Sequence, residues 1–265
     1  MGLDRIPKKD LALPQFIVTN LNTFSNEPFK IEGEEAKHIL FSRRLKKGQN
    51  IRLADGKGNV LIAEIVETDK SSLLVKPVKG PFFKDDLIPV SILLSITKSE
   101  RFDFSISKLS EIGIKEIFPV FTKRSLLTNR EESRLKHKFV RWNKLSLESL
   151  KQSRGFRATK IFFPRDLKDA LNELKKDEFH EKLILYEEED KEDLSFLRPF
   201  KDRSYLVAVG PEGGFDDEDL ELFKNNGFKP IKLAERILRS ETAAIFIASL
   251  ISHFYKIGKA SKQYG

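Results

Sequence analysis

The stretch VAVGPEGGFDDEDLELF, residues 207–223, decides how this chain is interpreted. Its apolar start is typical of a buried strand, its glycine-rich middle of a tight turn, and its acidic end of the first turn of a helix. In α/β proteins a strand-to-helix turn is a common ligand site, because the backbone there can approach the ligand closely. The stretch therefore predicts a binding loop at the edge of a parallel sheet.

The C-terminal part of the chain repeats this alternation of elements. From about residue 90 onward, apolar strand patterns alternate with helical ones, which favours an α/β fold with a parallel sheet and helices on both faces. A long basic helix is predicted at about residues 131–151. The final predicted helix, residues 241–255, is apolar on nearly every side, so it lies either in the core or in a subunit interface.

The N-terminal part is predicted to be a small β-rich domain. The segment NIRLADGKGNVLIAEIV, residues 50–66, predicts two strands joined by a hairpin turn at residues 55–59. A short helix is predicted over residues 34–48. Glycine, two prolines and charges interrupt the pattern at residues 79–89, and a domain boundary is expected there, giving domains 1–84 and 85–265.

Composition excludes several classes of protein. The 265 residues are 40% hydrophobic and 33% charged, no apolar run reaches the length of a membrane span, and the first residues lack the apolar core of a secretory signal, so a cytoplasmic protein is expected. There is no cysteine, and the four histidines are far apart, so no metal site is expected. The net charge of +8 favours a polyanionic partner such as nucleic acid.

The glycine-rich loop, residues 210–214, favours a neutral or cationic ligand. A phosphate-binding loop would end in lysine followed by serine or threonine, whereas acidic residues follow here from Glu212 to Asp219. The acids also suit a helix start, with Asp216 as the expected cap. The simpler alternative is that this loop only connects a strand to a helix.

A second informative segment is KLAERILRSETAAIF, residues 232–246. It places Arg236 and Arg239 in a loop between a strand and the apolar helix, which Ser240 is expected to begin. Neighbouring strand ends of one sheet meet at the same crevice, so one wall is expected to hold a cofactor and the other an anion. Alternatively, the two arginines only pair with surface carboxylates.

These two motifs have a close parallel in a known family. GPEGGF (residues 210–215) followed by RILRSETA (236–243) resembles the paired C-terminal motifs of the ribosomal RNA small subunit methyltransferase E family, within the SPOUT superfamily. The resemblance extends to KLSEIGIKEIFPVFTKRS (108–125), RW (141–142), ESLKQS (148–153) and HILFSRRLKKGQNIRLADGKG (38–58). Departures are Ala234 in place of the usual glycine, SRR in place of a typical VLR, and the segment around Arg154 and Arg157.

The resemblance implies a fold, a reaction and partners. It implies an N-terminal PUA-like β-barrel that binds RNA, and a C-terminal SPOUT domain with a deep trefoil knot, which general topology rules would not predict. It also implies a homodimer that uses S-adenosylmethionine to methylate N3 of a uridine in 16S ribosomal RNA, within the assembled small subunit, with no metal and no membrane. Rival interpretations are another SPOUT methyltransferase, acting on a transfer RNA base or on ribose, and a non-catalytic RNA-binding assembly factor.

The resemblance also implies site residues. Arg236 and Arg239 are expected to stabilise the uracil anion, and Glu212 or Glu241 is expected to accept the proton from N3 of the base. The sequence does not decide between these roles. The expected cofactor-binding residues, for which core packing is the alternative at the apolar positions, are Leu185, Tyr186, Glu187, Gly210, Pro211, Glu212, Gly213, Gly214, Leu233, Ile237, Leu238 and Ser240. The expected RNA-binding residues, each otherwise a solvated charge, are Arg44, Lys98, Arg101, Arg124, Arg141 and Arg236.

Overall fold

The computed structural model describes residues 6–19, 21, 26–125, 131–175, 178–186 and 197–260. The chain divides into two compact units, the first made of residues 1–86 and 150–158, the second of residues 87–149 and 159–265. The assignment of separate functions to residues 1–84 and 85–265 stays a prediction. The compact units differ from that division by adding residues 150–158 to the first unit.

The first unit is built on a five-stranded sheet. Its strands are β1 (Gln15–Ile17), β2 (Phe29–Glu32), β3 (Asn50–Ala54), β4 (Asn59–Thr68) and β5 (Ser72–Phe83), in the order β1-β3-β4-β5-β2. The predicted hairpin is confirmed, since β3 and β4 pair antiparallel with Ala54 opposite Val60. Asp55 closes its turn by accepting hydrogen bonds from the backbone nitrogens of Lys57 and Asn59, at 2.7 and 3.0 Å.

Two elements of this unit end at other residues than the sequence pattern suggests. β5 continues to Phe83, into the segment where the strand pattern is interrupted, because register shifts in its pairing with β4 accommodate the extra residues of β5 and Gly80 lets the backbones approach. A Cβ at Gly80 would lie 3.0 Å from the Val60 carbonyl oxygen. The predicted helix 34–48 is only α1 (Gly33–Lys37) followed by a π-helical turn (His38–Ser42), after which Arg44 adopts a left-handed φ of 51° that a helix cannot continue through.

Residues 150–158 provide hydrogen-bond acceptors for polar side chains buried in the first unit. Gln15 Nε2 donates to the Gly155 carbonyl at 2.9 Å. Arg52 is only 1% exposed and donates from Nη2 to the Arg154 carbonyl at 3.2 Å. Burial lowers the pKa of Arg52, because the charged guanidinium loses solvation. The segment thus compensates part of the desolvation of this unit's interior.

The second unit contains a parallel sheet. Its strands run in the order β12-β10-β11-β6-β7-β8, with β9 also pairing with β7, and every pairing is parallel. The strands are β6 (Ile88–Ser95), β7 (Ile114–Phe121), β8 (Lys160–Ile161), β9 (Arg165–Asp166), β10 (Glu181–Leu185), β11 (Tyr205–Val209) and β12 (Lys229–Ile231). The helices are α2 (Ser99–Ile112), α3 (Glu132–Ser153), α4 (Leu167–Leu174), α5 (Asp217–Asn225) and α6 (Ser240–Ala260).

Helices cover both faces of this sheet, as the sequence predicted. Alternate strand residues point to opposite sides, so Val207 packs with side chains of α2, α3 and α6, and Leu206 packs with those of α4 and α5. The α/β fold with a parallel sheet is therefore confirmed, and the trefoil knot stays a prediction. α6 extends beyond the predicted residue 255, and it buries Ala244, Ile247 and Ile251 while Phe246 remains 40% exposed.

Candidate active site

A cavity of about 300 Å³ lies at the carboxyl ends of three adjacent parallel strands, β10, β11 and β12. This is the edge at which open α/β sheets usually hold ligands. Its walls come from the strand ends, from the two predicted loops and from the first turns of α2 and α6. The lining residues are Arg101, Leu185, Tyr186, Val209, Gly210, Pro211, Glu212, Gly214, Phe215, Ile231, Lys232, Leu233, Ala234, Glu235, Arg236, Ile237, Leu238, Arg239, Ser240 and Ala243.

The glycine-rich loop forms one wall and is shaped by packing from behind. Gly214 has a φ of 70° and donates its N–H to the Pro211 carbonyl at 3.0 Å, which closes a tight turn that a residue with a Cβ would strain. The buried Phe215 lies behind Gly210, and a Cβ at Gly210 would be 3.2 Å from its ring. Phe215 also packs on Phe223 of α5, with ring centroids 4.9 Å apart. The loop therefore has little room to move toward the core.

The acidic residues after this loop stabilise the start of α5. Asp216 is the cap, as predicted, because its Oδ1 accepts from the backbone nitrogen of Asp219 at 2.9 Å. Asp219 is itself buried, and burial raises its pKa because the ionised carboxylate is poorly solvated there. Neither carboxyl group lines the cavity, since Asp216 caps the helix and Asp219 Oδ2 accepts from the backbone nitrogen of Lys123 at 3.2 Å.

The segment 232–239 forms the opposite wall. All its residues are described, and they form neither helix nor strand. At its end, Ser240 Oγ donates to the Gly210 carbonyl at 2.6 Å. This hydrogen bond joins the two motifs directly, so the predicted juxtaposition of the two loops at one crevice is what the structure shows.

Charges of both signs surround the cavity. Arg101 Nη1 lies 2.5 Å from Glu212 Oε1, and both side chains are partly exposed. Arg236 and Arg239 lie on the opposite wall and are exposed. The cavity thus combines peptide groups and apolar side chains inside with arginines at its rim. A lining of this mixed character suits a ligand with both apolar and polar groups, and the arginines at the rim suit an anionic partner.

The structure brings most of the predicted cofactor and catalytic residues to this cavity. Of the predicted residues that the structure describes, Gly213 and Glu241 do not line it. Glu187 lies outside the described residues. Gly213 turns its carbonyl to Arg124, whose Nη1 donates to it at 2.8 Å. Glu241 follows Ser240 in α6, and one of its carboxylate oxygens is buried without a hydrogen-bond partner in the described part of the chain.

The predicted RNA-binding residues are dispersed. Arg44 is exposed in the first unit, and Lys98 is exposed before the first residue of α2. Arg141 is exposed on α3 and forms an ion pair with Asp103, with Nε 2.7 Å from Oδ2. Arg101, Arg124 and Arg236 instead lie at or beside the cavity. The roles of all six in binding RNA stay predictions.

The sequence prediction omitted several residues that line the cavity. Arg101 was expected to contact RNA, yet it pairs with the glycine-rich loop. Lining residues absent from the predicted set are Val209, Phe215, Ile231, Lys232, Ala234, Glu235 and Ala243. Most of them adjoin a predicted residue at a strand end or in a loop, and that proximity is the signal by which they could have been included.

Two kinds of feature are absent from the structure within its described residues. There, no group of three or more histidine, aspartate or glutamate side chains is placed to hold a metal ion. No helix in those ranges combines the length and apolarity needed to span a bilayer.

Comparison with known proteins identifies the family. The family model described as an RNA methyltransferase domain matches residues 84–252, and one described as an RNA methyltransferase PUA domain matches residues 31–78. Ribosomal RNA small subunit methyltransferase E of Mesomycoplasma hyopneumoniae is 34% identical over 70% of this chain and 78% of its own length. The Bacillus subtilis protein of the same name is 28% identical over 85% of this chain and 90% of its own length.

The solved structures agree on the fold. Ribosomal RNA small subunit methyltransferase E from Neisseria gonorrhoeae, solved with bound S-adenosylmethionine, superimposes with a TM-score of 0.78 at 23% identity, covering 92% of this chain and 98% of that one. At this identity the likeness establishes the shared fold. On the family models and the sequence relatives together, this chain belongs to the RNA methyltransferase family that includes the ribosomal RNA small subunit methyltransferase E proteins.

Proposed function

We propose that this protein transfers a methyl group from S-adenosylmethionine to N3 of a uridine in 16S ribosomal RNA. The observation that carries the proposal is the cavity shared by the glycine-rich loop and the arginine-bearing segment, which the bond from Ser240 to Gly210 joins. The family membership of the chain supplies the reaction class.

The cavity suits S-adenosylmethionine chemically. Its volume of about 300 Å³ is of the order that small-molecule sites have. Leu185, Ile231 and Leu238 offer apolar surface to an adenine ring. Glu212 and Glu235 place carboxylates in the cavity walls, which favours a ligand that carries a sulfonium and an ammonium. When bound, S-adenosylmethionine supplies an electrophilic methyl group.

The residues at the rim act on the RNA base. The uracil nitrogen is protonated near neutral pH, so transfer requires a proton acceptor, a cation that stabilises the anion, or both. Arg236 and Arg239 supply positive charge beside the cavity. Glu212 lies in the wall but is paired with Arg101, whereas Glu241 has a buried oxygen without a described partner. Both carboxylates remain candidates for the proton acceptor.

The proposal includes the RNA substrate, the oligomeric state and the cellular compartment. The net charge of +8 favours RNA, and small subunits already assembled are the proposed substrate. A homodimer is supported by exposed apolar side chains that a second copy of the chain would cover. Ile237 in the cavity wall is 83% exposed, and Phe246 on α6 is 40% exposed. A protein that acts on assembled ribosomal subunits works in the cytoplasm.

Incubation with labelled cofactor tests the proposal. Purified protein and S-adenosylmethionine with a labelled methyl group would be mixed separately with small ribosomal subunits, naked 16S RNA and transfer RNA, and the nucleosides identified by mass spectrometry. We expect 3-methyluridine from the small subunit. Label in transfer RNA or on ribose would instead support another methyltransferase activity. RNA binding without cofactor binding would support an assembly factor.

A further inference from the structure

The turn that follows β7, residues 122–125, is held rigid by its own side chains. The Thr122 backbone nitrogen donates to Ser125 Oγ at 2.9 Å, and the two side-chain oxygens lie 3.0 Å apart. The Ser125 backbone nitrogen donates to the Thr122 carbonyl at 3.1 Å. These bonds fix the direction in which the two central residues, Lys123 and Arg124, leave the turn.

Both central residues of this turn contact the segment that carries the glycine-rich loop. Arg124 Nη1 donates to the Gly213 carbonyl at 2.8 Å. The Lys123 backbone nitrogen donates to Asp219 Oδ2 at 3.2 Å, and its Nζ lies 2.6 Å from Glu218. The turn is therefore bonded to this segment at two points, one in the loop and one in the first turn of α5.

The contact at Gly213 and the contact at Asp219 differ in how much other bonding supports them. Asp219 is only 3% exposed, and Asp216 also bonds to its backbone nitrogen, so the helix end is anchored several times over. At Gly213 the only atoms of the described residues that a Cβ would meet within 4 Å are Cδ and Cβ of the Arg124 side chain, at 3.5 and 3.6 Å. Loss of Arg124 therefore removes the side-chain hydrogen bond to the Gly213 carbonyl, while the anchored helix end keeps its other bonds.

We propose that Arg124 is a positioning residue for the cofactor loop. By holding the Gly213 carbonyl, its guanidinium sets the orientation of the adjoining peptide groups, and their neighbours Glu212 and Gly214 line the cavity. A charge-assisted hydrogen bond to a carbonyl is strong enough to select one loop orientation. The effect on cofactor affinity rests on the proposed use of S-adenosylmethionine, whereas the effect on loop order does not.

The test compares Arg124→Ala with Lys123→Ala, a matched control in the same turn. The control removes an exposed ion pair with Glu218 and leaves the backbone bond to Asp219 intact. Calorimetry with S-adenosylmethionine is expected to show about tenfold weaker binding for Arg124→Ala, the loss that one charge-assisted hydrogen bond implies. Lys123→Ala should bind within about twofold of the wild type. Arg124→Lys should recover part of the affinity, since it keeps one charged donor.

Two further readouts separate positioning from other roles. Without cofactor, amide hydrogen exchange in residues 210–216 should quicken in Arg124→Ala and not in Lys123→Ala. RNA affinity and its dependence on salt should be the same for Arg124→Ala as for the wild type. The variant should fold, because its side chain is exposed.

Each outcome has a definite meaning. Unchanged exchange and unchanged cofactor affinity in Arg124→Ala would overturn the proposal. Normal cofactor binding with weaker RNA binding and a shallower salt dependence would also overturn it, since Arg124 would then be a phosphate contact. If the wild type binds no S-adenosylmethionine, the proposed function fails, and faster exchange in Arg124→Ala would still support the positioning of the loop.

Discussion

Replacing Gly210 with alanine tests whether packing from the core shapes the glycine-rich loop. A Cβ at this position would lie 3.2 Å from the Phe215 ring, closer than side chains normally tolerate. Phe215 is 5% exposed and packs on Phe223, so it has little freedom to withdraw. The alanine must therefore displace either the ring or the loop. In the same loop, a Cβ at Gly213 would meet Arg124 at 3.5 Å, an ordinary contact.

Only the substitution at Gly210 should destabilise the protein. Overfilling a packed site costs about 1–3 kcal/mol. Replacing glycine with alanine gains about 0.4–1 kcal/mol where the backbone allows it, because the unfolded chain loses freedom. Neither glycine has a left-handed φ. We expect Gly210→Ala to lower the free energy of unfolding by about 1 to 2 kcal/mol, and Gly213→Ala to leave it unchanged or raise it slightly.

The assay uses an intrinsic probe. Trp142 is the only tryptophan and lies in the core of the second unit, so its fluorescence during urea unfolding reports on the unit that holds the loop. Calorimetry would follow S-adenosylmethionine, for which we expect about tenfold weaker binding to Gly210→Ala and a change of less than about threefold for Gly213→Ala. Equal stability and equal cofactor affinity of the two variants would refute the idea that Phe215 sets the position of the loop.

Three other substitutions address separate features. Ser240→Ala removes the bond to Gly210 and should lower the melting temperature by about 2–4 °C, the equivalent of about 1 kcal/mol, in a thermal unfolding experiment; an unchanged melting temperature would contradict the link between the loops. Burial raises the pKa of Asp219, so the native state binds the carboxyl proton more tightly than the unfolded state does. The free energy of unfolding of the wild type should therefore fall relative to that of Asp219→Asn as the pH rises from about 4 through the raised pKa. A difference between the two proteins that stays constant with pH in urea unfolding would contradict this. Arg44→Ala should reduce by about one the slope of log affinity for RNA against log salt concentration; an identical slope would show that Arg44 contacts no phosphate.

The sequence predicts the ligand-binding edge of this protein well. Residues 207–223 contain a strand, a tight turn and a helix cap in sequence, and each depends on local chemistry that neighbouring residues determine. That the second loop lies beside the first follows from a general property of parallel sheets. The cap at Asp216 and the cavity shared by residues 210–214 and 232–239 were therefore both predictable.

The sequence predicts less where distant segments meet. Arg101 and Arg124 are separated from their partners Glu212 and Gly213 by 111 and 89 residues. The basic charge of the chain and the family resemblance favour an RNA-binding role for both arginines, and nothing near them in the sequence indicates these partners. The sequence also treats the glycines of the loop as equivalent, whereas only the packed structure shows that Phe215 leaves no space at Gly210.

The return of residues 150–158 to the first unit limits how this protein can be dissected. A fragment that stops at residue 86 would carry the guanidinium of Arg52 and the amide of Gln15 in its interior while lacking the carbonyls of Arg154 and Gly155 to which they donate. Buried polar groups stripped of their acceptors are costly. The N-terminal sheet is therefore poorly suited to fusion with another enzyme as residues 1–86 alone. A fusion protein would also have to include residues 150–158, which follow more than 60 residues later in the chain.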